Sequence, residues 1–262
     1  MNIGNFLKAT PFLTILLTAG LLPGTAPAAG SGPCANPAKV KKLLCPDLRV
    51  AKPSEMYADK ATRPGRVLLR ATNDIQSRGK GAMELRGRRD RERSMNVTQA
   101  IRKRAGGYAL FPTQARLRFF DVGLEYGGAY WKVAHPLHFE LWKVNGQSKK
   151  TKLVRKGPKQ FYCFRDLERT DPGPRSPEDE VYPACNQNPE ETRVTLGTSV
   201  GWSDIYPSTY DLQWIDVTGL RGCYAYVLRL DPLESLFELK EKNNISQRIV
   251  RLPYKRQKFQ NC

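Results

Sequence analysis

Histidine is nearly missing from this chain: His135 and His138 are the only two among 262 residues. Chemistry built on several imidazoles therefore has little to draw on. No Cys-x-x-Cys pair occurs, which removes the close ligand spacing that structural zinc sites use. There is no Gly-x-Ser-x-Gly turn and no glycine-rich phosphate loop, so neither a serine-hydrolase elbow nor a nucleotide cradle is available. Internal repeats and low-complexity linkers are absent, and no stretch holds a long 3.6-residue apolar period.

The N-terminus reads as an export signal. Lys8 precedes an apolar run from Pro11 to Leu22 that closes on Ala26-Pro27-Ala28, with cleavage expected after Ala28. The run is shorter than the roughly 20 apolar residues a bilayer span needs, and no later segment comes close. A lipid anchor at Cys34 is disfavoured because Gly32 and Pro33 do not make a lipid-attachment box. The expectation is a signal peptide at residues 1–28 and a single domain over 29–262, secreted or extracytoplasmic, with no transmembrane segment in the mature chain.

Six cysteines, an even set, suit that destination. Spacing favours Cys34–Cys45 and Cys163–Cys185 as local loops, leaving Cys223 to reach Cys262, although other pairings are open. The formal charge is +18. Arg78 to Arg104 holds ten basic residues against Glu84, Asp90 and Glu92, and Lys143 to Lys159 holds seven with no acid. Such a field attracts anions. Export and the absence of a nucleic-acid-binding motif exclude nucleic acid and point to anionic envelope or extracellular polymers, or to nothing more than a soluble, self-repelling surface.

Short runs of β-branched and aromatic residues recur between Pro, Gly and Asn: 66–72, 95–101, 116–122, 137–144, 160–164, 212–218, 224–230 and 245–252. That spacing predicts an all-β, β-sandwich-like domain with long loops. One short helix is expected over 37–44. The proline-rich segment 165–201 reads as a surface excursion pinned by Cys185. His135 and His138 lie three apart; strand positions three apart face opposite sides, so a shared metal would require a turn at Pro136.

Several segments in order resemble the lysyl oxidase family in its bacterial form. They run from Leu44-Cys45-Pro46-Asp47-Leu48-Arg49 through Arg66-Val67-Leu68-Leu69-Arg70, Gly81 to Gly87, Met95 to Gln99, His138-Phe139-Glu140-Leu141-Trp142, Gly157-Pro158-Lys159-Gln160-Phe161-Tyr162-Cys163-Phe164-Arg165-Asp166, Asp204-Ile205-Tyr206 and Gln213-Trp214-Ile215-Asp216-Val217-Thr218, to Asp231-Pro232 and Asn243-Asn244. The resemblance implies a copper oxidoreductase acting on CH–NH2 groups, which turns primary amines such as peptidyl lysine into aldehydes and releases ammonia and hydrogen peroxide. Its second cofactor, lysine tyrosylquinone, is made from the protein.

The match places that cofactor's lysine at Lys159 and its tyrosine at Tyr206, with family carboxylates at Asp204 and Asp211. Read without the resemblance, Lys159 is one more member of a basic run, Tyr206 a turn residue before Pro207, and the aspartates turn caps. The family's alternating His-x-His-x-His has its nearest register at Gly128, Tyr130 and Lys132, an unsuitable copper set; His135 and His138 are the only imidazoles to borrow. Two outcomes follow: an amine oxidase carrying copper and the quinone, or a catalytically degenerate binding protein that needs neither. A different metal or redox role for His135, His138 and a carboxylate is a third. Asn243 and Asn244 fall where some relatives hold calcium, while an asparagine pair on its own reads as a turn.

Overall fold

The structure is a computed structural model and describes residues 1, 32–121, 128–255 and 262. The expected signal segment lies outside the described residues apart from Met1. The chain is nearly all β. In order, the strands are β1 (Leu43–Leu44), β2 (Leu48–Val50), β3 (Ser54–Asp59), β4 (Leu68–Ser77), β5 (Met83–Arg91), β6 (Ser94–Lys103), β7 (Tyr108–Asp121), β8 (Ala129–Ala134) and β9 (Leu137–Val144). They continue with β10 (Lys150–Lys156), β11 (Phe161–Tyr162), β12 (Glu168–Arg169), β13 (Arg193–Thr198), β14 (Trp202–Tyr206), β15 (Trp214–Asp216), β16 (Gly222–Leu230) and β17 (Ile245–Leu252).

Three antiparallel sheets result. The largest runs β11-β8-β7-β6-β5-β13 with β1 added to β6; the second runs β10-β9-β16-β17; the third is built on β4, which pairs with β14 and β2 along 73–77 and with β15 and β3 along 68–72. One apolar cluster draws on all three, including Met95, Leu117 and Trp131, Phe139, Tyr226 and Leu228, and Leu69, Ile75 and Ile215. Each such side chain contributes roughly 1.5–3 kcal/mol on burial. Disulfides join Cys34 to Cys45, Cys163 to Cys185 and Cys223 to Cys262.

The helix is shorter than expected. Asn36 accepts from the amides of Ala38 and Lys39 and Pro37 occupies the first turn, but the helix stops at Val40. Leu43 and Leu44 leave it to pair with Lys103 and Arg102, which buries Leu43. The 165–201 segment is likewise more than an excursion, because 193–198 forms β13 along the edge of β5 with Val194 and Leu196 turned inward. Asp166 anchors the rest. Fully buried, it accepts from the amides of Val181 (2.9 Å), Tyr182 (3.2 Å) and Ser199 (2.7 Å) and from the Ser199 hydroxyl (2.8 Å).

Asp166→Ala would strand three amides and a hydroxyl inside the protein. The expected loss is about 3 kcal/mol or more, read from urea unfolding with an unchanged slope.

Candidate functional site

Lys159 sits in the connection from β10 to β11. That connection is tightly held: the Gly157 amide donates to the Phe139 carbonyl at 2.9 Å, the His135 amide donates to the Gln160 carbonyl at 2.6 Å, and a Cβ at 157 would lie 2.6 Å from the Trp214 carbonyl oxygen. Tyr206 ends β14, in register with Asn73 of β4. Its hydroxyl is fixed twice by one residue, accepting from the Cys163 amide (2.8 Å) and donating to the Cys163 carbonyl (3.0 Å). The ammonium of Lys159 lies 4.6 Å from the Tyr206 ring centre and 5.1 Å from that of Tyr162. The two positions named from the sequence are therefore neighbours in space.

Around them lies a cavity of about 560 Å³ lined by Phe120, Tyr130, Lys132, Lys159, Phe161, Arg165, Tyr206, Tyr210 and Asp211, among others. Burial, then the nearby Lys132 charge, lowers the Lys159 amine to about 8 against the opposing pull of Asp204 and Asp211. Burial also lowers Lys132, against Asp211, and its ammonium rests over Phe120 (5.2 Å) and Tyr130 (5.4 Å). Arg165 lines the same space. Among the described residues, none of these three cations makes an ion pair, and Asp211 is the carboxylate that lines the wall.

Asp204 stands behind the wall. It is fully buried, neither carboxylate oxygen has a hydrogen-bond partner, and burial drives its carboxyl far above the ordinary range despite Arg165 and Lys159. Two framing residues were not singled out in the sequence. Gln213, fully buried, donates to the carbonyls of Tyr206 (2.7 Å) and Pro207 (2.8 Å) and accepts from Asn73 (2.5 Å). Arg70 pairs with Asp59 at 2.6 Å and donates to the carbonyls of Ser208 (3.3 Å) and Tyr210 (3.0 Å). Gln213 belongs to the matched Gln-Trp-Ile-Asp stretch, which could have signalled it. Arg70 likewise belongs to the matched Arg66-Val67-Leu68-Leu69-Arg70 stretch, although nothing in that stretch separates its role from that of the other arginines.

The histidines are elsewhere. His135 lines a second cavity of about 480 Å³ with Arg93, Arg116 and Arg118, separated from the first by the stacked rings of Phe120 and Phe161, 4.4 Å apart. His138 stands 5.9 Å from it, ring to ring, and lines neither cavity. Burial first, and then Lys156, lowers the His138 imidazole. Among the described residues neither histidine belongs to a group of three close ligands. On β8, Tyr130 and Lys132 line the cavity as a phenol and an ammonium, and this donor set does not fit copper. Lys159 and Tyr206 thus lie side by side on the cavity wall, while among the described residues no set of imidazoles gathers beside them.

A separate set of oxygen ligands does fit a hard cation. Ligand atoms of Asp231, Glu238 and Glu241 lie within 4.8 Å of one another. Asn244 donates to Glu238 (3.0 Å) and Glu241 (3.1 Å), Asn243 donates to Asp47 (3.0 Å), and both amide oxygens are buried without partners. Oxygen donors at such spacing suit calcium. Asn243 and Asn244 were marked in the sequence, but the three carboxylates were not.

A family model described as lysyl oxidase matches residues 128–262. No curated protein matches the chain. The matched stretch includes Lys132, Lys159, Arg165, Tyr206 and Asp211 as well as the Asp231, Glu238 and Glu241 cluster.

Burial, then Asp231 and Glu234, lifts the Glu241 carboxyl from 4.5 to about 7. Between those values the folded chain keeps a proton that the unfolded chain has released, so this group's contribution to stability falls as pH rises. The melting temperature in chelator should therefore drop between pH 5 and pH 7, and calcium at pH 7 should restore it. No response to calcium in a thermal melt would remove the cation reading.

Proposed function

Since the chain belongs to the lysyl oxidase family, we propose that it is a secreted member whose cavity binds an anionic ligand instead of oxidising an amine. The observation that carries this reading is Lys132, which lines the cavity from β8 at a position that the resemblance aligns with one of the family's three histidines. An ammonium competes poorly for a metal and repels one at neutral pH. The same charge works against the family's substrates, because a primary amine arrives protonated and would meet Lys132, Lys159 and Arg165, with Asp211 the one carboxylate on the wall among the described residues. An anion meets the reverse balance. Exposed basic residues on β5 and β10, such as Arg91, Lys150 and Lys152, extend that preference to envelope or extracellular polyanions.

A second reading is the family reaction itself, copper- and lysine tyrosylquinone-dependent oxidation of amines to aldehydes with release of peroxide. The closeness of Lys159 to Tyr206 favours it. Peptide mapping of the chain expressed with copper separates the two. The proposed function expects Lys159 and Tyr206 unmodified, stoichiometric copper absent, and no peroxide on adding a diamine. A Lys159–Tyr206 cross-link with peroxide release would establish the oxidase instead. The substitutions Gly128→His, Tyr130→His and Lys132→His together should raise copper retention above that of the unsubstituted chain, measured by metal analysis after dialysis.

A further inference from the structure

We propose that Lys159 captures a small aldehyde or ketone carrying an anionic group, holding it as an imine. This rests on the reading above in one respect: Lys159 must remain a free amine.

A lysine forms imines when it meets two conditions, a neutral nitrogen and a carbonyl held beside it. The cavity provides both. The amine lies against the faces of Tyr206 and Tyr162 at 4.6 and 5.1 Å, with no ion-pairing carboxylate among the described residues. The charged and titratable groups that act on it are Lys132, Asp204 and Asp211, with the buried phenols of Tyr162 and Tyr206 beneath. At pH 7.5 an amine lowered to about 8 is about a quarter neutral, against about a thousandth for an ordinary lysine. Lys132 and Arg165 line the same space and can receive an anionic tail, while the aromatic wall of Phe120, Tyr130 and Phe161 accepts a short carbon chain. The volume, about 560 Å³, is that of a small-molecule site.

The step is redox-neutral. The Lys159 nitrogen pair adds to the carbonyl carbon and the C=O π pair moves to oxygen. Both amine protons pass to that oxygen, which leaves as water, and the nitrogen pair closes the C=N bond.

The test is reductive trapping on the full chain. Protein is incubated with cyanoborohydride and either succinic semialdehyde or butanal, an uncharged aldehyde of equal length, and labelled lysines are located by peptide mapping. Lys159 should be labelled at least ~10-fold faster than exposed lysines, faster by succinic semialdehyde than by butanal, with a rate that climbs through pH 8. Lys132→Met should move that climb to higher pH and erase the preference for the charged aldehyde. Lys159→Arg, checked for folding by circular dichroism, should remove the fast label. Even labelling across surface lysines would overturn the proposal, and equal rates for the two aldehydes would overturn the anionic tail. A cross-linked Lys159 in the map before any aldehyde is added would instead overturn the preceding functional reading. Slow labelling of a demonstrably free Lys159 would overturn this proposal alone.

Discussion

Strand β4 is hydrogen-bonded along both edges by four separate strands, and the geometry of the cavity descends from that arrangement. Along its first half it holds β15 and β3; along its second half it holds β14 and β2. The segment joining β14 to β15 therefore loops out between the pairings at Asn73 and Arg70 and returns to β4 running the same way, and it carries Tyr206 at one end and Asp211 near the other. Arg70 and Asn73 project from β4 itself to meet it. A buried ion pair such as Arg70 with Asp59 has desolvation to offset, and here the guanidinium also satisfies two backbone carbonyls and the Thr62 hydroxyl (3.1 Å). The pair thus fixes the shape of the site as well as adding to stability.

Much of the fold could be read in the sequence where side-chain chemistry and strand geometry agree. The β16 run, Gly222 to Leu230, is buried on both faces: Tyr226 and Leu228 point into the main core, and Ala225 and Val227 pack with Val144 on the other side. A continuous apolar run announces such a strand. By contrast, β5 is crowded with arginine; it alternates inward Met83 and Leu85 with charged neighbours, and Gly87 passes so close to Leu117 that a Cβ would come within 2.5 Å. Its charges kept it out of the runs of β-branched and aromatic residues, and only the resemblance over 81–87 pointed to it. β13 was hidden differently, by the prolines before it.

The site was legible to the extent that local order carried it. Lys159 and Tyr206 were placed by their flanking residues, and they are adjacent. What no linear pattern showed was that Lys132 and Arg165 enter the same space, since a basic sequence gives no sign of which cations turn inward. The carboxylate cluster was obscured for a related reason: Asp231, Glu238 and Glu241 sit in a loop whose path is set by contacts to distant residues, such as the Leu239 amide bonding to the Pro46 carbonyl at 2.9 Å.

The turn from Tyr206 to Leu212 is held through its own carbonyl oxygens, two gripped by Gln213 and two by Arg70. Every one of its residues, whatever its side chain, presents such an oxygen. Thr209, Tyr210 and Asp211 can accordingly be exchanged over evolutionary time without releasing the hooks that set the turn's course. A lineage could revise what the cavity recognises, residue by residue, on a frame that stays where it is.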